Sequence, residues 1–457
     1  MILMRSCRGV AGWAAVFILT FGVTSWAEEM FYREAQKDGQ LYVFAQMREF
    51  AAWQSSGKLS VAVTRPGYGP NGETVVFDSH EAVNAYNFKH DKPGEVFAEE
   101  TSKATKDAPS VRVGGTIFTD FTYSDEPRIL DSDGNTVNPS AFDVSRAYIN
   151  LSGNISHLVS FRITPDIRRL STNTRNLGPS ESVTSSQEGS LTVRLKYTYG
   201  QVNLDGFLTK GSWGRIGLQT TPFIDFYEGI YRYRFQGTTL TDREGFLSPA
   251  DFGVSIHYNV RNDYGDVHVG VYNGETFVRS DPNDQKAVQI RGTLRPLPRS
   301  DAFKGMRLTA FYDADRYVTG GPRDRFVGLA SFEHKYANAG LEYFGAKDQP
   351  SATVQAVKAR GYSLWATPKV GRGVEGFLRY DNVKPNTDVS ARKKRTIAGV
   401  AYWFPVLKDK GPLSAALLAD YERVNYDALP AGTLVSPLVA LGKATEKRFS
   451  VHCLFNF

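Results

Sequence analysis

The chain has 457 residues, 41% hydrophobic and 22% charged, with 42 Gly, 23 Tyr, 29 Phe and a formal net charge of +6. So many aromatic residues exclude a disordered chain, and a mean hydropathy of −0.33 without repeated long apolar stretches excludes a polytopic helical membrane protein. Neither excludes a membrane β-barrel, whose strands alternate apolar and polar residues and so average to the hydropathy of a soluble protein.

Arg5 and Arg8 precede an uncharged stretch from Gly9 to Ala27 that closes on Ser25-Trp26-Ala27. A charged start, an apolar middle and a small-x-small end predict a secretory signal peptide over residues 1–27, with an uncleaved anchor as the alternative. Removing it takes away Arg5, Arg8 and Cys7, leaving a net charge of +4 and Cys453 as the mature chain's one cysteine. An exported chain with one cysteine has no internal disulfide framework. No basic cluster of the kind nucleic-acid binding needs is present, so no nucleic-acid partner is expected.

Residues 28–108 read as a small α+β module and linker with an internal repeat of 33 residues. Asp38 to Phe44 matches Asn71 to Phe77: a turn dipeptide opens a short β-prone run ending in Phe. A helix-like segment follows each run and carries an aromatic residue, Trp53 in one and Tyr86 in the other. Asp78-Ser79 supplies side-chain oxygens for the start of the second helix. Pro93-Gly94 and the polar stretch from Glu99 to Pro109 make the linker. Either a plain spacer or a contact with the cell wall would suit this module, placed in the periplasm.

From Val111 the period becomes two. Ile117, Phe121 and Tyr123 share one face while Asp120 and Thr122 share the other. In the run from Leu191 to Tyr199, Leu191, Val193, Leu195, Tyr197 and Tyr199 are expected on the dry face, with Thr192, Arg194, Lys196 and Thr198 on the wet one. Strands are predicted near 111–123, 142–153, 157–167, 190–207, 212–220, 251–261, 265–273, 285–295, 305–315, 324–336, 338–347, 360–369, 373–382, 394–404, 412–425 and 447–457. The fourth is a single strand or two strands broken at Gly200. Short links such as 154–156, 262–264 and 370–372 tend to alternate with long ones such as 168–189, 221–250 and 426–446. Residues 109–457 therefore predict an all-β fold, a transmembrane antiparallel β-barrel of about 16 strands, with turns on one side of the membrane and loops on the other.

The last predicted strand places Phe449, Val451, Cys453, Phe455 and Phe457 on one face. An alternating final strand ending in Phe457 resembles the signal that bacterial assembly machinery reads on outer-membrane proteins. With the Arg146-Ala147-Tyr148 strand, the run Arg215 to Gln219 followed by Pro222-Phe223, and the long segment after it, residues 109–457 resemble a bacterial outer-membrane porin with the layout of the phosphate-selective porin family. The resemblance implies a homotrimer of water-filled channels in the outer membrane. The module at 28–108 departs from the coiled coil that such porins often carry.

Strand parity sends Arg146, Arg162, Arg194, Lys196 and Arg215 into the lumen from strands two to five, forming one basic wall. Asp313, Asp315, Glu342, Asp420 and Glu422 fall on the inner face of later strands. By analogy with porins, the segment from Thr221 to Ala250 folds inward as a constriction loop. It carries Asp225, Glu228, Asp242 and Glu244 with Arg232, Arg234 and Arg243. A basic wall facing acids on a loop would set a field across the passage and orient dipolar solutes. Tyr231-Arg232-Tyr233-Arg234-Phe235 either stacks sugar rings and pairs anions, or pins the loop to the wall with its arginines on barrel carboxylates.

The resulting expectation is a passive channel for small hydrophilic solutes with a bias toward anions, no cofactor and no metal. A barrel hydrolase is the second reading, disfavoured because neither a His-Glu-x-x-His nor a Gly-x-Ser-x-Gly run occurs. A structural or adhesive barrel tethered to the cell wall by residues 28–108 is the third.

Overall fold

The computed structural model describes residues 31–59, 63–70, 72–90, 109–169, 175–178, 181–183, 190–404, 414–427 and 445–457. The predicted leader and nearly all of the predicted linker lie outside the described residues. The chain separates into two compact units, Met1–Lys103 and Ala104–Phe457.

In the first unit, β1 (Arg33–Lys37), β2 (Gln40–Phe44), β3 (Val63–Arg65) and β4 (Thr74–Phe77) form one sheet in the order β1-β2-β4-β3, with β2 and β4 parallel. Helix α1 (Met47–Ser56) follows β2 and α2 (His80–Lys89) follows β4, so the sequence repeat is a strand–strand–helix unit used twice. Strand alternation sends Leu41, Val43, Val75 and Phe77 to one face, where Ala82, Val83 and Tyr86 of α2 cover them. Tyr42 and Phe44 point to the opposite face and meet Phe50 and Trp53 of α1. Ser79 caps α2 by accepting the Ala82 N–H at 3.2 Å. Asp78, in the second unit of the repeat, accepts the N–H groups of Ala45 and Gln46 in the first. Burial alone would raise the Glu34 carboxyl, but hydrogen bonds from Tyr32, His90 and Lys89 outweigh it and hold the group below the usual carboxylate range.

The second unit is a closed antiparallel barrel. Its sixteen strands are, in order, Ser110–Glu126, Ser140–Asn154, Val159–Arg169, Leu191–Asn203, Trp213–Thr220, Ala250–Val260, Gly265–Tyr272, Ala287–Leu294, Met306–Ala314, Gly321–Glu333, Ala337–Asp348, Val357–Gly371, Val374–Lys384, Arg392–Trp403, Ser414–Asp427 and Thr445–Asn456. All sixteen predicted strands are present, and the fourth runs unbroken through Gly200. The sixteenth strand pairs with the first and closes the barrel. A short strand, Arg316–Val318, pairs with the tenth beyond the end of the ninth.

Outward positions carry Val193, Leu195, Ile216, Val254, Ile256 and Val271, all exposed. An apolar band of this kind is what a lipid-facing barrel surface requires. Bulges interrupt the alternation on the early strands. Ser145 is left unpaired opposite the first strand, and Lys196 opposite the third. The second bulge corrects the sequence reading: past Lys196 the parity flips, so Tyr197 and Tyr199 turn inward and are buried, while Leu191, Val193 and Leu195 stay outside. A single extra residue moves every later side chain to the other face.

A re-entrant segment and the wall it leaves uncovered

Residues 221–249 connect the fifth and sixth strands and fold into the barrel. Helix α3 (Ile224–Tyr231) buries Ile224, Tyr227, Ile230 and Tyr231, a spacing that puts them on one helical face. The other face carries the exposed Asp225 and Gly229. A second, short helix α4 (Leu240–Arg243) follows.

The apolar face of the segment is anchored to barrel strands eight to fifteen. Phe223 lies against Phe311, and Trp365 Nε1 donates to the Tyr227 hydroxyl at 2.7 Å. Tyr231 meets Phe377 edge-on and accepts from Arg379 at 2.9 Å. Tyr233 stacks on Phe377 with centroids 4.5 Å apart and donates to Glu375, and Phe235 packs on Trp403. Such aromatic pairs contribute roughly 0.5–1.5 kcal/mol each beyond the area they bury.

Charge fixes the far end of the segment. Arg243 donates to Glu422 at 2.7 and 2.9 Å, and Glu244 accepts from Lys393 and Arg395 at 3.0 and 2.9 Å. Arg395 reaches Asp381 and Glu422 as well, and Asp381 pairs with Arg379. Each charge in this buried cluster is compensated, which is the condition for burying it at all. The Tyr231–Phe235 run thus pins the segment to the wall. Arg232 meets the barrel carboxylate Glu375, as the structural reading expects, whereas Arg234 meets Glu228 of its own segment at 2.6 Å.

Strands two to five carry arginines that are only half-buried, beside the buried Thr164, Asp166, Lys196, Tyr197 and Tyr199. Arg146 and Arg194 both end on Asp166, each at 2.9 Å. Arg162 bonds only neutral oxygens, Thr164 Oγ1 at 3.1 Å and Asn150 Oδ1 at 3.2 Å, and lies over the Tyr197 ring. Arg215 likewise bonds Gln201 and Thr220 and lies over Trp213 and Tyr199. Among the described residues, neither Arg162 nor Arg215 has a carboxylate within ion-pair distance. Lys196, buried at the bulge, stands over Tyr148 and Tyr197. The Tyr197 hydroxyl donates to Asp225 at 3.0 Å, so wall and segment touch there.

Phe457 sits on the first strand, exchanging backbone hydrogen bonds with Gly115 at 2.7 and 2.9 Å. A side chain at Gly115 would run into its ring.

Sequence reasoning missed the anchors on the late strands: Trp365, Phe377, Glu375, Arg379, Asp381, Arg395 and Trp403. Their inward parity was readable, but nothing in the sequence said which wall the segment would choose. It also missed Phe118, whose ring lies 6.5 Å from that of Phe235.

Closed sheet, re-entrant segment and apolar outer band together define a sixteen-stranded transmembrane-type β-barrel with an inward-folded segment. No protein-family model and no curated protein matches the chain. Among solved structures, the anion-selective porin from Comamonas acidovorans is similar at 13% identity with a TM-score of 0.53, covering 77% of this chain and 100% of its own. OmpT of Vibrio cholerae, an outer membrane protein, is similar in a form lacking loop L8, at 15% identity and a TM-score of 0.51 over the same shares. Its outer-membrane expressed form gives 14% and 0.50, over 77% of this chain and 98% of that one. At such identities the likeness establishes the fold.

Proposed function

We propose that this protein is an outer-membrane channel for passive diffusion of small hydrophilic solutes, with a bias toward anions. The observation that carries the reading is the pairing of Arg162 and Arg215, which have no ion-pair partner among the described residues, with a segment that narrows the barrel opposite them. Guanidiniums held by neutral acceptors, with Asp225 of the segment facing them, present positive charge to a passing solute. In a narrow passage that charge is screened less than in bulk water. The similarity to porin barrels supports the channel class.

The layout of the phosphate-selective porins, a homotrimeric assembly and a periplasmic N-terminal module in contact with the cell wall belong to the same proposal. So does recognition of Phe457 by the barrel-assembly machinery. The test is conductance in planar bilayers with reversal potentials measured in a salt gradient. Ohmic channels that pass anions over cations are expected, with the preference shrinking at high salt, where the Debye length falls to about 3 Å at 1 M. A folded, inserted barrel that passes no current would overturn the reading.

A further inference from the structure

A recess of about 240 Å³ opens beside the re-entrant segment, between its residues 234–237 and barrel strands one, two, fifteen and sixteen. It adjoins the passage through Arg146 and Arg234, but its chemistry differs from that of the wall bearing Arg162 and Arg215. Each arginine lining it already ends on a carboxylate: Arg146 on Asp166, Arg234 on Glu228, Arg243 on Glu422 and Arg448 on Glu446. Among the described residues no lining arginine lacks a carboxylate partner, and Arg146 shares its partner with Arg194.

What remains to meet a ligand is small and polar. Thr122 and Ser450 share a hydroxyl–hydroxyl contact at 3.0 Å, with Ser145 and Asp120 close by on the same lining. His452 pairs in register with Asp120 and is 7% exposed. Among the described residues its Nδ1 has no hydrogen-bond partner, and its Nε2 lies 3.0 Å from an Asp420 oxygen but outside hydrogen-bonding geometry. A buried ring nitrogen in this state is costly until a donor or acceptor reaches it. Phe118 and Phe235 close the recess with two tilted rings.

We propose that this recess binds a neutral polyhydroxylated solute the size of one sugar ring. Its volume of about 240 Å³ has room for a solute the size of such a ring. Hydroxyls that both donate and accept match the mixture of carboxylate, imidazole and hydroxyl groups. The apolar face of a sugar ring matches Phe118 and Phe235. The carboxylates on the arginines weaken their pull on an anion. The inference rests on the channel reading, since the solute must reach the recess through a water-filled lumen.

The test uses the full chain purified in detergent, with radiolabelled D-glucose in equilibrium dialysis and gluconate as the charged competitor. Glucose should bind saturably and gluconate should compete poorly. Asp120→Asn and His452→Gln, both close in shape to the native residues, should each weaken glucose binding about tenfold while the barrel stays heat-modifiable. Failure of the folded wild-type protein to bind glucose would overturn the proposal. Gluconate binding as tightly as glucose would overturn the neutral class, and binding untouched by both substitutions would overturn the location. The outcome that separates the two readings is glucose binding in a protein without conductance, which leaves the recess standing and removes the channel.

Discussion

Inward-facing residues of barrel strands twelve, thirteen and fifteen are buried at nearly every second position, whereas those of strands two and three are mostly half-buried. Both walls belong to one sheet with one hydrogen-bond pattern, so the sheet is not the cause. The re-entrant segment is. It lays the aromatic face of α3 on the late strands and closes over a compensated ion network there. On the early strands it leaves the arginines half-buried and faces them with the acidic edge at Asp225. One half of the barrel is thereby a protein core, and the other is a surface turned inward. Mutations should behave accordingly: substitutions in the packed half should be read in stability, and those in the open half in selectivity.

The largest effect is expected from Glu422→Ala in the packed half. It strips Arg243 and Arg395 of a shared carboxylate and leaves buried charge unpaired, a change of about 3–5 kcal/mol in comparable cases. The temperature at which the barrel loses its heat-modifiable gel mobility should fall clearly. An unchanged temperature would mean the segment is not anchored there.

Next is the seam where the two halves meet, between strands sixteen and one. Gly115→Val drives a side chain into the Phe457 ring, and overpacking of that kind costs about 1–3 kcal/mol. Deleting Phe457 removes the same contact and two backbone hydrogen bonds. Both should lower the amount of folded barrel recovered from the outer membrane. Normal levels of either variant would break the proposed role of this residue.

In the open half, Arg162→Gln with Arg215→Gln should cut the anion-to-cation permeability ratio severalfold in reversal-potential measurements, with little change in thermal stability. Arg146→Gln should do less, because Asp166 then keeps Arg194 and part of the lost charge was already compensated. If Arg146 proves the more important, charge pairing does not set the preference.

The smallest effect is expected on the outer face. Val193→Ala with Leu195→Ala removes exposed apolar surface on the same strand as Arg194 and should leave selectivity where it was. A shift in reversal potential from this pair would mean that the faces of the fourth strand are assigned the wrong way round before the bulge.

Alternation alone placed all sixteen strands, since each must present an apolar face to one side and satisfy its backbone through neighbours. It assigns Arg146, Arg162, Arg194, Lys196 and Arg215 to the lumen by parity, although Arg146 follows the bulge at Ser145 and Lys196 is itself the bulged residue. Tyr197 and Tyr199 were misplaced because a bulge inserts no recognisable residue: Lys196 is an ordinary strand residue whose lack of a partner depends on the adjoining strand. The repeat in the N-terminal module was legible as two units, but not that their helices cover opposite faces of the sheet.

The sequence by itself determined local period, and with it strand number, barrel class and the charge carried by each face. These depend on neighbours two residues away along one strand, where covalent geometry decides which side a group takes. Only the tertiary structure decided where residues 221–249 lie. Tyr227 finds Trp365, Tyr233 finds Phe377, and Arg243 finds Glu422 across more than a hundred residues of intervening chain. No periodicity records such contacts. They arise when the sheet closes and a single inward segment must bury its apolar face against whichever wall has rings and carboxylates to receive it.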